Sequence, residues 1–335
     1  MDHEIYRLGD VALESGGVLK DGFIAYKTFG ALNEDRTNVV VMPTHFGGTH
    51  LQSDYLIGQQ RALDPKKYFI VIPNLIGNGL SSSPSNAGSP LLASQFPRIS
   101  ILDNVRFQHR LLVERLHVRK IELVAGFSMG AVQAFHWAAL YPDFVQRLAA
   151  ICGAAKISDH NFVFLEGMKS VLTTDPVWNN GLYTEQPLLG LRAMALAWAA
   201  WPPSAHFYRR RLYKKLGYDS VEDFLRRYWE ATYCKMDANN VLCQIRTWQS
   251  ADISKNSLYK GDIARALQAI TAKVFVMPCV NDAYFPPEDS ALEVAMMPHA
   301  ELRKIDSQWG HWAGSGRHPK DTEFIDQNLR ELLSS

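Results

Sequence analysis

Short apolar runs separated by helix-like segments constrain the fold of this 335-residue chain more than any other feature. The length and content of each run are typical of a strand that is buried on both faces, as in a parallel sheet. The runs lie at residues 39–42, 69–73, 121–125, 148–152 and 274–277, with a weaker one at 301–305. Helix-like patterns lie between them at residues 104–116, 129–140 and 286–297, and residues 100–103 resemble a capping box. This alternation predicts an α/β fold, with a mostly parallel, doubly wound sheet and helices on both faces.

Residues 158–260 interrupt the alternation of strands and helices. The segment is rich in aromatic residues and helix-like, and it contains no convincing strand run. Because the alternation resumes after it, we interpret it as an insertion between two strands of the sheet. We therefore predict an α/β core of residues 1–157 and 261–335, and a helical lid of residues 158–260 over the carboxyl ends of the strands.

Composition and charge argue against several classes of partner. The formal net charge is +1 and charged residues make up 21% of the chain without a long run of one sign, so nothing favours nucleic acid or an anionic membrane. We expect no secretory signal, because the start MDHEIYRLGD is acidic and has no apolar core, and no segment reaches the ~18 apolar residues that span a bilayer. The four cysteines show no C-x-x-C spacing. We expect reduced thiols in a cytoplasmic protein.

The strongest single motif is GFSMG at residues 126–130. As a bare pattern G-x-S-x-G is weak, but here it follows the predicted strand 121–125 and opens the predicted helix 129–140, as a nucleophile elbow requires. Such a turn strains the serine backbone and tolerates only small neighbours. It presents the hydroxyl at a helix N-terminus, where backbone amides favour negative charge. We predict that Ser128 is a nucleophile; the alternative is a glycine-rich turn without chemistry.

A serine nucleophile needs a base and an acid that orients the base, in the chain order Ser, Asp or Glu, His for this fold. Asp282 follows the predicted strand 274–277 and would lie at its carboxyl end. His311 follows the last predicted strand, in a loop that can reach the serine. We predict Asp282 as the acid and His311 as the base. The weaker candidates are Asp289 and Asp306 for the acid, and His299 and His318 for the base.

Acyl transfer also requires hydrogen-bond donors for the developing oxyanion. The backbone N–H of Met129, directly after the nucleophile, is one candidate. The second is expected in the loop PTHFGGTH at residues 43–50, where glycines let the backbone approach a substrate. We favour the amide of His45, with Phe46 as the alternative.

No cofactor or metal is expected. The sequence GNG at residues 77–79 lacks the third glycine of a dinucleotide-binding motif. His45 and His50 are weak candidates for metal ligands, because no cysteine or carboxylate cluster accompanies them in the sequence.

Several segments beyond the elbow resemble one family. They are YKTFGALN at 26–33, the loop at 45–50, FPRISILDNV at 96–105, GFSMGAVQ at 126–133 and DANN at 237–240. Together they make nearly the whole chain similar to the homoserine O-acetyltransferase group of the α/β hydrolases. The resemblance implies an α/β-hydrolase fold, a helical lid, an acyl-enzyme and a homodimer formed through the lid. It also places the family's Ser, Asp and His at Ser128, Asp282 and His311.

The sequence departs from that family where a substrate would be held. The resemblance implies an acid directly after the catalytic histidine, where this chain has Trp312, and a lid arginine where it has Ala195. Arg192 is near but would face another side of the helix. A buried charge without a partner costs several kcal/mol, so these changes argue against homoserine. The lid instead offers aromatic side chains at Trp178, Trp198, Trp201, Phe207, Tyr208 and Trp229. We expect substrate contacts from Phe46, Trp198, Trp312 and Arg192.

These residues predict acyl chemistry on a small-molecule substrate through an acyl-enzyme. Hydrolysis of a small ester or thioester is the main expectation, because the groups that would hold homoserine are missing. The alternative is an O-acetyltransferase that moves acetyl to an alcohol, with acetyl-CoA as co-substrate. A further alternative, from another class, is a non-catalytic small-molecule receptor on the same fold, against which an intact Ser-Asp-His set argues.

Overall fold

The computed structural model describes residues 2–335, apart from the side chain of Pro90. Eight strands form one sheet in the order β1-β2-β4-β3-β5-β6-β7-β8. They are β1 Glu4–Ala12, β2 Val18–Phe29, β3 Val39–Val41, β4 Phe69–Pro73, β5 Ile121–Phe127, β6 Arg147–Ile151, β7 Lys273–Met277 and β8 Ala300–Leu302. β2 pairs antiparallel with β1 and with β4, whereas all the pairings from β4 to β8 are parallel. The mostly parallel sheet predicted from the sequence is confirmed.

The apolar runs correspond to strands β3 to β8. Every residue of β3 and β4 is buried, which explains why these strands appear in the sequence as continuous apolar runs. The weak run at 301–305 gives only the three-residue strand β8. No apolar run predicted β1 or β2, because exposed residues interrupt the buried ones in both strands.

Six helices belong to the two stretches predicted as core. They are α1 Pro90–Ser94, α2 Ile101–Arg110, α3 Met129–Leu140, α10 Ile263–Gln268, α11 Pro287–Met296 and α12 Pro319–Ser334. A capping box fixes the start of α2, since the Ser100 hydroxyl accepts the N–H of Asp103 and the Asp103 carboxylate accepts the N–H of Ser100. A π-helical turn, Leu111–Arg115, follows it. No helix within residues 2–335 is long and apolar enough to cross a membrane.

Residues 158–260, between β6 and α10, contain helices and no strand of the sheet. The helices are α4 Asp159–Thr173, α5 Leu188–Trp198, α6 Ala205–Arg209, α7 Val221–Phe224, α8 Ala231–Tyr233 and α9 Ala238–Gln249. The 3₁₀ turns Pro176–Gly181 and Leu212–Leu216 and the π-helical turn Leu225–Glu230 connect some of them. We refer to residues 158–260 as the lid segment; the division of the chain into a core and a lid remains a prediction.

The residues directly before the lid segment pair with residues near its other end. The N–H of Ile157 donates to the carbonyl of Ala251 at 3.1 Å, and the N–H of Ile253 donates to the carbonyl of Ala155 at 3.1 Å. We call residues 155–157 and 251–253 the neck. The carboxyl group of Glu293 accepts the N–H of Ala155 at 2.9 Å and so joins the neck to α11.

Candidate active site

The turn between β5 and α3 has the strained geometry of a nucleophile elbow. Ser128 has φ 57° and ψ −125°, a conformation that non-glycine residues rarely adopt. A Cβ atom on Gly126 would lie 2.1 Å from the carbonyl carbon of Gly130, and one on Gly130 would lie 2.4 Å from the carbonyl oxygen of Pro43. Glycine is therefore required on both sides of the serine because the backbone itself leaves no room for a side chain.

Ser128, His311 and Asp282 form a continuous hydrogen-bonded chain. The Ser128 hydroxyl lies 2.9 Å from Nε2 of His311, and Nδ1 of His311 lies 2.7 Å from Oδ2 of Asp282. All three side chains are buried. The other carboxylate oxygen of Asp282 accepts the N–H groups of Tyr284 at 2.8 Å and Phe285 at 3.2 Å, which fixes the carboxylate from behind. This arrangement can deprotonate a serine hydroxyl and stabilise the resulting imidazolium.

Loops after strands β7 and β8 bring the acid and the imidazole to the serine. Asp282 follows β7, and His311 lies in the 3₁₀ turn Gly310–Gly314 after β8. The lid segment supports this turn, since the N–H of His311 donates to the carbonyl of Pro202 at 2.8 Å. Gly310 has φ 64°, and a Cβ atom there would lie 2.7 Å from the same carbonyl oxygen. We call Gly310–Gly314 the histidine turn. The position of His311 thus depends on contact between the histidine turn and the lid segment.

The weaker candidates for acid and base lie elsewhere. Asp289 is in the first turn of α11, and Asp306 is exposed. His318 is 3.0 Å from Asp321, at the start of α12. None of them takes part in the hydrogen bonds among Ser128, His311 and Asp282.

The oxyanion loop, residues 43–50, offers backbone donors beside the serine. The N–H groups of His45, Phe46 and Met129 each lack a hydrogen-bond acceptor within residues 2–335. The loop is fixed by Gln133, whose amide donates to the carbonyl of Thr44 at 2.9 Å. Unpaired N–H groups at a helix N-terminus and in a fixed loop are what a developing oxyanion needs.

A cavity of about 320 Å³ opens above Ser128. Its core side is lined by His45, Phe46, Gly47, Gly48, Gln52, Phe127, Ser128, Tyr284, His311, Trp312 and Arg317. Its lid side is lined by Trp198, Pro202, Tyr228, Trp229, Thr232, Tyr233, Met236 and Trp248. The walls are therefore mainly aromatic. No aspartate or glutamate is among these described lining residues.

Three of the four expected substrate-contact residues line this cavity. They are Phe46, Trp198 and Trp312, and the rings of Phe46 and Trp198 stack at 4.9 Å. Arg192 does not line the cavity, so for this residue the structure differs from the expectation. Its guanidinium pairs with Glu230 at 3.1 Å, and 52% of its side chain is exposed. Ala195 is fully buried and also lies outside the lining. The charged contacts considered for homoserine are thus not in the cavity.

Sequence reasoning missed several lining residues. Tyr228 lies with Trp229 in a π-helical turn, a feature often found at functional sites. Tyr284 lies in the loop of Asp282, and its ring meets that of His311 edge-on at 4.8 Å. Arg317 follows the histidine turn. No local motif marks these residues; only the spacing from Asp282 and from His311 could have pointed to Tyr284 and Arg317.

The imidazole of His45 is a neutral group in this site. Burial, and after it the nearby charges of Arg317 and His311, lower its pKa to about 3. The ring packs edge-on against Phe127 at 5.3 Å. His45 therefore presents an uncharged side chain to the cavity at neutral pH.

Two groups of side chains come close enough to be considered as metal ligands, and neither fits one. The first group is Asp2, His3 and His50. The amide oxygen of Asn74 accepts the backbone N–H of His50, so the NH₂ group of Asn74 faces Nδ1 of the His50 ring at 3.2 Å. Nδ1 must then be unprotonated, and the proton of the neutral ring sits on Nε2, facing Asp2 at 3.1 Å. A metal on Nε2 would need the opposite tautomer.

In the second group, Cys152 lies beside Asp282 and His311. Burial raises the pKa of the Cys152 thiol well above its usual value, and the negative charge of Asp282 raises it further. The thiol is therefore protonated at neutral pH, whereas a metal ligand is a thiolate.

Comparison with known proteins places this site in a family. A family model described as the alpha/beta hydrolase fold matches residues 38–315. The chain is 39% identical to an ethyl acetate hydrolase from Pseudomonas veronii, over 99% of this chain and 95% of the relative. The solved structure of an acetylester hydrolase from Corynebacterium glutamicum matches with a TM-score of 0.96 at 38% identity, covering 99% of this chain and 96% of that one. A homoserine O-acetyltransferase from Trichormus variabilis is 31% identical over 89% of this chain and 86% of the relative.

The chain belongs to the α/β-hydrolase family. The expected resemblance to the homoserine O-acetyltransferase group is confirmed, and esterases are among its relatives. The expectation of an enzyme of the serine hydrolase or acyltransferase class is also confirmed.

Proposed function

We propose that this enzyme hydrolyses small acyl esters, acetyl esters above all, in two steps at Ser128. The observation that carries the proposal is the buried chain from Ser128 through His311 to Asp282 at the floor of an aromatic cavity. The printed functions of an ethyl acetate hydrolase and an acetylester hydrolase, both at nearly 40% identity, support the choice of a short acyl group.

In the first step, the Ser128 oxygen attacks the ester carbonyl carbon while His311 Nε2 takes the hydroxyl proton. The carbonyl oxygen becomes an oxyanion, which the N–H groups of Met129 and of His45 or Phe46 stabilise. The bond to the leaving oxygen then breaks, and His311 gives that oxygen its proton. An alcohol leaves, and the acyl group remains on Ser128.

In the second step, water attacks the acyl-enzyme and gives up a proton to His311. The bond between the Ser128 oxygen and the acyl carbon breaks, His311 returns the proton to the serine, and a carboxylic acid leaves. Asp282 holds the imidazole in the required tautomer throughout both steps. Because nucleophile, base and oxyanion donors all come from the chain, we infer that the reaction needs neither a cofactor nor a metal. Activity should survive prolonged dialysis against a chelator.

The lining of the cavity supports hydrolysis over acetylation of homoserine. The ammonium group of an amino-acid acceptor needs a carboxylate partner when it is desolvated, and the described lining offers none. Trp312 occupies the position directly after His311 and closes the wall with an aromatic ring.

The test is an assay of acid release against acyl transfer. The purified enzyme is incubated with ethyl, phenyl and 4-nitrophenyl acetate, with and without an added alcohol, and with acetyl-CoA plus alcohols. We expect acetate release that is lost when Ser128 is labelled by a fluorophosphonate. Transfer to an alcohol that outpaces acetate release would replace this proposal with an acetyltransferase, and absence of labelling and turnover would favour a receptor.

We also propose that two copies associate through the lid segment. Its surface exposes several large apolar side chains, namely Phe162, Val163, Val177, Leu182, Leu188, Leu189, Leu196 and Leu258. Exposed apolar surface of this kind is typical of an interface. Sedimentation should show a dimer that Leu189→Glu dissociates, while a wild-type monomer at micromolar concentration would contradict the proposal.

The four cysteines are free thiols in the structure. Free thiols are typical of reducing compartments, and on this ground we propose that the enzyme works in the cytoplasm. Fractionation of cells that produce the untagged protein tests this, and recovery outside the cytoplasmic fraction would contradict it.

A further inference from the structure

One charged side chain in the cavity has no role in the steps above. Arg317 follows the histidine turn and lines the cavity with Ser128. Its guanidinium lies 4.6 Å from the ring centre of Trp312, and one of its N–H groups donates to the hydroxyl of Tyr228 at 2.5 Å. A ring from the core side and a hydroxyl from the lid side thus hold the guanidinium at the mouth of the site.

The charge of Arg317 is not neutralised by the protein. Within residues 2–335, Arg317 has no carboxylate as an ion-pair partner, whereas Arg192 has Glu230 and Arg330 has Asp326. A guanidinium carries five N–H donors, and the Tyr228 hydroxyl occupies one of them. Most of the donor capacity of Arg317 is therefore free for a ligand.

The charge of Arg317 also acts on the oxyanion loop, on the same side of the cavity. It is the second contribution, after burial, to the lowered pKa of His45 in the oxyanion loop. No acidic residue of the described lining offsets it. Arg317 is therefore the one arginine, lysine or carboxylate side chain among the described lining residues, and its guanidinium favours an anionic group beside it.

We propose that Arg317 is a specificity-determining residue that selects esters carrying a carboxylate. This inference rests on the proposed ester hydrolysis and adds the charge of its substrate. A single guanidinium fork fits one carboxylate in a bidentate manner, and stacking on Trp312 orients that fork before the substrate arrives. A substrate that also carries an ammonium group gains nothing further, because no carboxylate lines the cavity.

A second role would explain the same contacts without any anion. Arg317 joins the histidine turn to Tyr228 in the lid segment, so it could serve only to hold the lid in place. The two roles differ in their dependence on substrate charge. A contact that only holds the lid affects all esters alike, whereas an anion site affects anionic esters alone.

The test uses three acetates of similar shape and different charge: 4-acetoxybenzoate, phenyl acetate and (4-acetoxyphenyl)trimethylammonium, with 3-acetoxybenzoate as a second anionic geometry. Values of kcat/KM are measured for the wild type, Arg317→Gln and Arg317→Lys. We expect Arg317→Gln to lose about tenfold to a hundredfold on the better acetoxybenzoate, the range for one hydrogen-bonded charge, and less than about twofold on phenyl acetate. Arg317→Lys should fall between, because it keeps the charge and loses the fork.

Two controls make the outcome specific. Arg209→Gln removes an exposed cation of the lid segment outside the cavity and should leave all three esters unchanged. High salt should reduce the preference of the wild type for the anionic ester, because an exposed charge is screened. Equal losses on all three esters, or no loss on the acetoxybenzoates, would overturn the inference while leaving ester hydrolysis intact. Failure of the wild type on every ester would instead overturn the proposed function.

Discussion

The two walls of the cavity are built by different means. On the core wall, backbone contacts fix the reactive groups: glycines without room for a Cβ flank Ser128, and two backbone N–H groups hold the Asp282 carboxylate. On the lid wall, ring packing fixes the side chains, as when Trp229 stacks on Trp312 at 5.5 Å with an interplanar angle of 11°. Few residue types fit at positions fixed by close backbone contacts, whereas many combinations of side chains can pack ring against ring. The comparison therefore contrasts groups held by backbone contacts, which we propose carry the chemistry, with side chains held by ring packing, which we propose choose the substrate.

Replacement of the nucleophile should have the largest effect and tests the core wall alone. Ser128→Ala should lower kcat by on the order of a millionfold, the typical cost of losing the nucleophile of such a set. The far-ultraviolet circular dichroism spectrum and the melting temperature should stay near those of the wild type, since the change removes one buried oxygen. Activity within tenfold of the wild type in a folded variant would show that the chemistry lies elsewhere.

Replacement of the orienting acid should have the next largest effect. Asp282→Asn keeps the shape of the side chain but favours the wrong tautomer of His311, and a loss of about ten-thousandfold in kcat is expected from the Ser-His-Asp template. Asp289→Asn is the matched control, because Asp289 lies in α11 away from the hydrogen-bonded chain. If the control variant loses activity and Asp282→Asn does not, the acid has been misassigned.

The charge of the cavity lining is tested by two substrates that differ only in an ammonium group. The acetate esters of 4-hydroxybutyrate and L-homoserine share a carboxylate, but the second also carries an ammonium that no described lining residue can pair. An unpaired buried charge costs ~3–5 kcal/mol, so hydrolysis of the homoserine ester should have a kcat/KM more than about a hundredfold lower.

Acetylation of L-homoserine by acetyl-CoA should be poor for the same reason. Its kcat/KM should stay below ~10⁴ M⁻¹s⁻¹, the low end for a natural substrate. A higher value, or equal hydrolysis of the two esters, would mean that the ammonium group finds a partner that the cavity lining does not reveal.

The neck that joins the two regions should show a smaller effect, on stability. Burial raises the pKa of Glu293 in the folded protein to about 8 from an ordinary 4.5. As pH rises between these values, the unfolded chain releases this proton and the folded protein retains it. The Glu293 contribution to the free energy of unfolding is therefore full below pH 4.5 and falls with rising pH, by at most ~1.4 kcal/mol per unit.

Glu293→Gln is the matched variant for the neck, since it retains an oxygen for the N–H of Ala155 and does not titrate. Urea unfolding of both proteins at pH 5, 6, 7 and 8 measures the difference. The variant should lose less stability than the wild type over this range. If the free energies of unfolding of the two proteins change in parallel with pH, the pKa of Glu293 does not differ between the folded and unfolded states.

The core wall could be predicted from the sequence because each of its elements depends on local rules. The GFSMG motif between a strand and a helix identified Ser128, and chain order with strand ends led to Asp282 and His311. The same rules gave the start of α3 at Met129 to the residue. The antiparallel hairpin β1–β2 was not predicted, because exposed residues interrupt both strands and neither contains a continuous apolar run.

The aromatic lining of the cavity could be predicted only in part because its contacts join distant segments. Trp198 and Trp312 were expected in the cavity and lie there, yet nothing in the sequence shows that Trp229 would stack on Trp312. Arg192 was expected to contact the substrate, but Glu230, on a neighbouring turn, pairs with it at the surface. Arg317, the cation that does line the cavity, belongs to no motif. Such outcomes depend on how helices pack, which local patterns do not specify.

The claim that Ser128 carries the acyl group can be tested by direct observation of that intermediate. The enzyme is mixed with 4-nitrophenyl acetate, quenched with acid within milliseconds, digested and analysed by mass spectrometry. The account predicts that the peptide containing residues 126–130 gains the mass of one acetyl group, located on Ser128, and that the gain disappears as the ester is consumed. An acetyl group found reproducibly on another residue, with Ser128 unmodified and turnover unimpaired in Ser128→Ala, would contradict it.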